Sequence, residues 1–217
     1  MKALLIYSGG MDSTVLLYAF QREIKLCLAF NYGSKHNDKE YQMASLNSVK
    51  TGIPLIRINL DFINKYFKSD LLQSGGEIPE GHYEDESMKS TVVPFRNGIM
   101  LAIAVGLAES RNLDTVLIGN HAGDHAIYPD CRLDFILPMS KAAFYGTYNG
   151  VNIEAPFMAK TKRDIAEIGR DLDVDFSLTY SCYKGGDVHC GLCGTCTERI
   201  EALKGFDNTK YLQPSLF

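Results

Sequence analysis

The chain predicts an α/β fold, a doubly wound parallel sheet with helices on both faces and a small C-terminal metal-binding segment. Three observations predict it. Short apolar runs alternate with helix-like stretches in the order βαβαβ over residues 3–60, the pattern of a parallel sheet with helical crossovers. A glycine turn separates the first apolar run from the first helix. Four cysteines, Cys182, Cys190, Cys193 and Cys196, lie close together near the end of the chain.

The first run, Ala3-Leu4-Leu5-Ile6-Tyr7, ends at Ser8-Gly9-Gly10, and Val15, Leu16, Leu17 and Tyr18 resume at helical spacing after Met11-Asp12-Ser13-Thr14. This reads as buried strand, tight turn and helix start. Residues 24–32 form a second buried strand, with a loop over 31–36 at its end. Residues 37–51 are helical with a partial apolar stripe, stopped by Gly52 and kept from continuing by Pro54. Residues 55–60 alternate as a third strand. Residues 73–90 are polar, with glycines, Pro79, His82 and the acidic run Glu84-Asp85-Glu86. They read either as a solvated surface loop or as a lid. An apolar helix over 98–111, a strand over 115–118, a polar loop over 120–132, a helix over 133–145, a strand over 151–155 and a helix over 161–172 complete the α/β part. The expected division is a nucleotide-binding unit over 1–175 and a zinc-binding segment over 176–217, packed as one.

Ligands of a doubly wound sheet sit beyond the carboxyl ends of the strands. The loops at Ser8, Tyr32, Arg96 and Gly119 therefore line one crevice. At the glycine turn the first helical amides lack partners and the helix dipole favours negative charge. Gly9 and Gly10 allow close backbone approach, and Ser8, Ser13 and Thr14 add hydroxyls, which makes a cradle suited to phosphate or pyrophosphate. The plainer alternative is a strand-turn-helix corner with Ser or Asp as N-cap. No lysine follows the turn, so it is not a Walker A loop.

A chain of 217 residues suffices for one α/β domain with a sizeable core. Its net charge of −4 argues against a large nucleic-acid footprint. No stretch approaches the roughly 18 apolar residues of a membrane span, and the first residues enter directly into strand pattern without the look of a signal peptide. A cytoplasmic location is expected. In such a chain clustered cysteines favour metal over disulfide. Four soft ligands on glycine-rich turns suit one closed, tetrahedral, structural zinc ion per chain. A Cys-x-x-Cys redox pair, an iron–sulfur cluster, or His189 replacing one thiol are the alternatives.

Several segments match one family in order: Ser8-Gly9-Gly10-Met11-Asp12-Ser13, Val93-Pro94-Phe95-Arg96-Asn97, Tyr128-Pro129-Asp130-Cys131-Arg132, Thr161-Lys162, and Ser181-Cys182-Tyr183 with the three later cysteines. The first resembles the PP-loop of ATP pyrophosphatases. Together they resemble the QueC family of the PP-loop superfamily, which has a Rossmann-like (HUP/PP-loop) fold. The resemblance implies an ATP-dependent ligase that turns 7-carboxy-7-deazaguanine and ammonia into 7-cyano-7-deazaguanine (preQ0), through an adenylated carboxylate and an amide, in queuosine biosynthesis. It implies ATP as co-substrate with Mg²⁺, a zinc ion and a homodimer, with no direct nucleic-acid or membrane partner.

The resemblance assigns ATP to Ser8, Gly9, Gly10, Met11, Asp12, Ser13, Thr14, Val15, Leu16, Leu17 and Tyr18. Asp12 would arrange Mg²⁺ or the loop. Arg96 would pair with the substrate carboxylate or an ATP phosphate, the alternative being a surface arginine at an unfavourable helix start. Asp124 and Asp130 would accept hydrogen bonds from the guanine-like edge, Arg132 would offer a charged fork, and Lys162 would reach phosphate. The alternatives are a turn residue for Asp130 and a solvated first-turn lysine for Lys162. Cys131 reads as a packing thiol, and His121 and His125 as loop residues. The chain departs from the usual family pattern at His125, Ala126 and Ile127, at Tyr180, and within residues 31–36, positions that the sequence places around the substrate pocket. Other readings are a related ligase joining the acid to a peptide or protein amine, a PP-loop enzyme acting on tRNA, and a non-catalytic nucleotide-binding module.

Overall fold

The computed structural model describes residues 1–213, so residues 214–217 of the expected C-terminal segment lie outside the described residues. Five parallel strands, β1 (Ala3–Ile6), β2 (Ile24–Asn31), β3 (Leu55–Asn59), β4 (Thr115–Leu117) and β5 (Asn152–Glu154), form one sheet in the order β3-β2-β1-β4-β5. The helices are α1 (Met11–Ala19), α2 (Asn37–Thr51), α3 (Asp61–Tyr66), α4 (Arg96–Ser110), α5 (Leu133–Gly146), α6 (Lys162–Asp171) and α7 (Gly194–Ala202). The doubly wound expectation is borne out, with strand and helix ends within two residues of the sequence reading. The short α3 and the C-terminal α7 were not read from sequence.

Strand β1 is apolar along its length because both its faces are covered. Leu4 packs into one core with Leu28, Leu101, Ala104 and Val116. Its neighbours Ala3 and Leu5 point the other way, against Val15, Leu16, Cys27 and Ile165. Thus α4 and α5 cover one face, and α1 and α6 the other. Local signals fix several ends. Gly52 closes α2 in the left-handed region at φ 73°. Thr161 caps α6, accepting from the Asp164 amide while Asp164 reaches back to the Thr161 amide.

The strand order reverses beside β1, since the chain winds outward through β2 and β3 and then crosses to β4. That reversal opens a crevice at the carboxyl ends of β1 and β4. The C-terminal residues close onto it. The Tyr180 amide donates to the Gly9 carbonyl at 3.0 Å, and the four clustered cysteines belong to the same core as Leu4 and Leu28.

Residues 73–90 are exposed along most of their length but anchored at three points. Ile78, Tyr83 and Met88 are buried, residue 80 pairs as a bridge with Cys193, and the Gly81 amide donates to the Leu192 carbonyl. The acidic run faces solvent, while the apolar residues face inward. No described helix is long and apolar enough to cross a membrane.

Candidate active site

The turn after β1 is built for a close backbone approach. Gly9 sits at φ 88°, and a Cβ there would collide with the Glu40 carbonyl and with the Ala44 amide nitrogen, 2.7 Å away. Only glycine fits, so α2 packs directly on the turn. Ser8 Oγ accepts from the Gly10 amide at 3.0 Å and shares a hydrogen bond with Ser13 Oγ at 3.1 Å. Ser8, Gly10, Met11, Asp12 and Ser13 line the crevice. The other residues of the expected ATP segment serve as scaffold. Thr14 turns its hydroxyl inward to Tyr7 at 3.1 Å, Val15, Leu16 and Leu17 are fully buried in the core, and Tyr18 bonds Asn47 at 3.4 Å. They follow the turn in sequence, but the helix rotates them onto the sheet.

Opposite the turn stands a charge cluster. Lys162 Nζ donates to Asp12 Oδ2 at 2.6 Å and lies 3.3 Å from Glu198 Oε2 and 3.4 Å from His121 Nε2. Lys162 is therefore not a solvated first-turn lysine; α6 begins at the floor of the crevice and directs it inward. Burial opposes the charge on Lys162, yet Asp12 and Glu198 outweigh burial and raise its pKa. Burial also opposes ionisation of Asp12, and Lys162 and His121 hold its carboxyl below the usual range nonetheless. Burial pushes the Glu198 carboxyl up. Asp12 Oδ1 is buried without a hydrogen-bond partner, and the ammonium of Lys162 is the ion-pair contact of Glu198 Oε2. His121 Nδ1 accepts from the Gly123 amide at 3.1 Å, leaving Nε2 toward Asp124 Oδ1 at 3.5 Å.

Arg96 faces the crevice, not the bulk. It donates to the Tyr32 hydroxyl at 3.1 Å and its guanidinium lies 5.5 Å from that ring's centre. The unfavourable cation at the start of α4 is offset by Asp130. One Asp130 oxygen accepts from the Asn97 amide at 2.8 Å, the other from Asn97 Nδ2 at 3.4 Å, which places an anion at the helix N-terminus. Asn97 Nδ2 also reaches Cys131 Sγ at 3.1 Å. Asp130 thus anchors α4 with both oxygens and is absent from the crevice lining. Arg132 is likewise outside; it is exposed and donates to the His125 carbonyl at 2.8 Å. Asp124 lines the crevice, with one oxygen taking the Tyr83 hydroxyl at 2.9 Å and the other the His121 amide at 3.0 Å.

The far end of the crevice is aromatic. Tyr128 shares its hydroxyl with Thr91 and Tyr183, each at 3.2 Å. His36 stacks on Tyr183 at 5.3 Å. Tyr83 lies 5.8 Å from Tyr128. The altered loop residues are not part of this wall. His125 Nε2 meets Met158 Sδ at 2.9 Å, Ala126 is exposed, and Ile127 is buried beside Tyr83, Met88 and Tyr128. Of the departures, Tyr180 does line the crevice.

Beside it, the Sγ atoms of Cys182, Cys190, Cys193 and Cys196 lie within 4.8 Å of one another, all buried. Cys190 Sγ accepts from the Leu192 and Cys193 amides at 3.4 and 3.3 Å, and Cys182 Sγ from the Cys190 amide at 3.4 Å. Amides aimed at sulfur favour thiolates, and four thiolates around one point suit zinc. His189 is not among them: its Nε2 accepts from the Ser181 amide at 3.1 Å.

Sequence reasoning missed Glu198, Tyr83, Glu40 and any role for His36. Glu198 follows Cys196 on a helix that the cysteines masked. Tyr83 lay inside a stretch read as polar loop. Glu40 and His36 occupy i and i+4 positions, a spacing visible in sequence but unattached to any motif.

A sequence model of the family described as "Queuosine biosynthesis protein QueC" matches residues 2–207. The chain is 60% identical over 201 residues to the 7-cyano-7-deazaguanine synthase of Porphyromonas gingivalis, covering 93% of this chain and 91% of that protein. It is 53% identical to the protein of that name from Desulfotalea psychrophila, covering 97% and 98%, and 45% identical to that of Caldicellulosiruptor saccharolyticus, covering 94% and 91%. In fold it is similar to the structure of NMN synthetase from Francisella tularensis, with TM-score 0.51 and 14% identity, over 88% of this chain and 70% of that one. The chain belongs to the QueC family.

Proposed function

We infer that this QueC-family chain is a 7-cyano-7-deazaguanine synthase, an ATP-dependent carbon–nitrogen ligase that makes preQ0 from 7-carboxy-7-deazaguanine and ammonia. The observation that carries this reading is that the phosphate cradle at residues 8–13 and the tyrosine-lined chamber are one cavity. An acid bound in the chamber thereby meets the α-phosphate of ATP.

A carboxylate resists ammonia because it is anionic and its oxygen leaves poorly. Its attack on the α-phosphorus of ATP forms an acyl-adenylate and expels pyrophosphate toward the cradle. Ammonia then adds to the acyl carbon, a proton leaves nitrogen, and AMP departs to give the amide. A second ATP activates the amide oxygen in the same way. Loss of AMP and of the remaining protons on nitrogen gives the nitrile. The enzyme's part is positioning and charge stabilisation.

Lys162 and the amides at residues 10–13 would hold phosphates, and Arg96 would pair with the substrate carboxylate or the α-phosphate. Asp124 and the tyrosine hydroxyls would hold the deazaguanine. The unpartnered Asp12 oxygen beside the Glu198 carboxylate fits a Mg²⁺ ion, whose contribution would be to offset charge on the polyphosphate. Asp130 and Arg132 act from behind, by setting α4 and the loop after β4. The four cysteines would hold one structural zinc, with no position left open for water. Reduced thiolates and the need for ATP favour the cytoplasm. An exposed apolar face on α5, with Leu133, Leu137 and Phe144 about half exposed, supports a homodimer.

The experiment is incubation with 7-carboxy-7-deazaguanine, ATP and ammonium, read by mass spectrometry. Nitrile and AMP support the reading. A mass increase on a peptide or protein amine without nitrile supports the alternative ligase.

A further inference from the structure

Amide formation and nitrile formation in the proposed reaction both release protons from nitrogen, and the residues assigned so far include no acceptor for them. Asp12 and Glu198 are engaged with Lys162. Asp124 is engaged with Tyr83 and the His121 amide. One further carboxyl lines the crevice, that of Glu40.

Its position follows from the glycine turn. Because Gly9 has no Cβ, the first turns of α2 rest on residues 9 and 10, and Glu40 Oε1 lies 3.8 Å from the point where a Gly10 Cβ would stand. The carboxyl is thus held at the rim of the phosphate cradle, on the side of Tyr32 and Arg96. Its other oxygen lies 3.4 Å from His36 Nε2, one helical turn earlier. His36 is 3% exposed, stacked on Tyr183, and its Nδ1 is buried without a hydrogen-bond partner. Burial, reinforced by Arg96, drives its pKa down to about 3, so the imidazole is neutral.

We propose that Glu40, oriented by His36, is the catalytic base that takes the proton from nitrogen after ammonia adds to the adenylated acid, and again when the adenylated amide collapses to nitrile. The first step balances as follows. The N–C bond forms, the N–H electron pair stays on nitrogen, the proton moves to Glu40 Oε, and the C–O bond to AMP breaks. Glu40 then returns the proton to solvent.

The environment fits a base at neutral pH. Burial pushes the Glu40 carboxyl up to about 8, against the pull of Arg96, and a base works best when its pKa lies near the operating pH. The groups that face it are His36 on its own helix, Tyr32 at the end of β2 and Arg96 on α4. Bound triphosphate would add negative charge and favour the protonated carboxyl. Departure of pyrophosphate removes that charge, so the base is released at the stage that needs it.

The proposal rests on the ligase reading, and the test separates the two. The probes are ATP–pyrophosphate exchange driven by 7-carboxy-7-deazaguanine and single-turnover amide formation at constant free ammonia. Glu40→Gln should keep exchange within about threefold, showing a folded, adenylating enzyme, while amide formation falls by about 10² to 10⁴. The wild-type amide rate should rise through about pH 8, and that rise should vanish in the variant. The amide-to-nitrile step, started from the amide, should fall as well. Unchanged amide formation in Glu40→Gln overturns the proposal, as does an equal loss of exchange and amide, which would make Glu40 a nucleotide-binding residue. A wild-type enzyme that shows no exchange with this acid overturns the ligase reading itself.

Discussion

Removing Lys162 should destabilise the fold in a way that depends on pH. In Lys162→Met the methylenes remain, but Asp12 and Glu198 lose the amine that lies 2.6 and 3.3 Å away. At an effective dielectric of about 20 each contact is worth several kcal/mol before desolvation is counted. Stripping one partner from a buried pair costs about 3–5 kcal/mol because a charge is left without compensation. The side chains of Lys162 and Asp12 keep 14% and 21% of their exposure, which favours the lower end, about 3 kcal/mol. In the wild type the depressed Asp12 pKa stabilises the fold above the unfolded value of about 3.9 and is lost as pH falls through the folded value. Without Lys162 the carboxyls take up a proton instead, so the penalty in the variant should shrink from about 3 kcal/mol near pH 8 toward about 1 kcal/mol near pH 5. Urea unfolding at both pH values measures it. A loss below about 1 kcal/mol at high pH, or one independent of pH, would refute the description of this cluster as a paired, buried site.

Two further outcomes follow from the same structure. A metal held by Cys182, Cys190, Cys193 and Cys196 would make hydrogen exchange through residues 180–199 rise on chelation, because thiolates drawn within 4.8 Å of one another repel without an ion; exchange unchanged by chelation would argue against a metal. Leu137→Glu, at a position 53% exposed on α5, should lower the sedimenting mass to that of one chain while leaving ATP–pyrophosphate exchange intact; a wild type that already sediments as a monomer would refute the dimer.

Legibility tracked locality. The turn at Ser8-Gly9-Gly10 and the cysteine cluster could be read because each is a continuous segment whose chemistry is complete within a few residues. The parallel sheet could be read because Leu4, Leu5 and Leu28 are apolar on both faces of their strands. Arg96 was visible because a cation at a helix start is costly, although the anion that offsets it, Asp130, was assigned to the ligand instead. Sequence order cannot show that the Asp130 carboxylate turns back to the Asn97 amide, nor that α7 brings Glu198 to Lys162. The polar composition of residues 73–90 concealed Tyr83 and Met88, which pack beneath it. His125 and Ile127, placed by sequence at the pocket, turn toward Met158 and the core, while Tyr83, Tyr128 and Tyr183 form the surface of the wall.

On this mechanism one crevice activates the same carbon twice. The most direct measurement is quantitative mass spectrometry of the products from 7-carboxy-7-deazaguanine, ATP and labelled ammonium. Labelled nitrile, a transient labelled amide and one AMP for each activation are expected, hence two AMP for each nitrile. Accumulation of amide as the final product, release of ADP in place of AMP, or label found only on protein would contradict it.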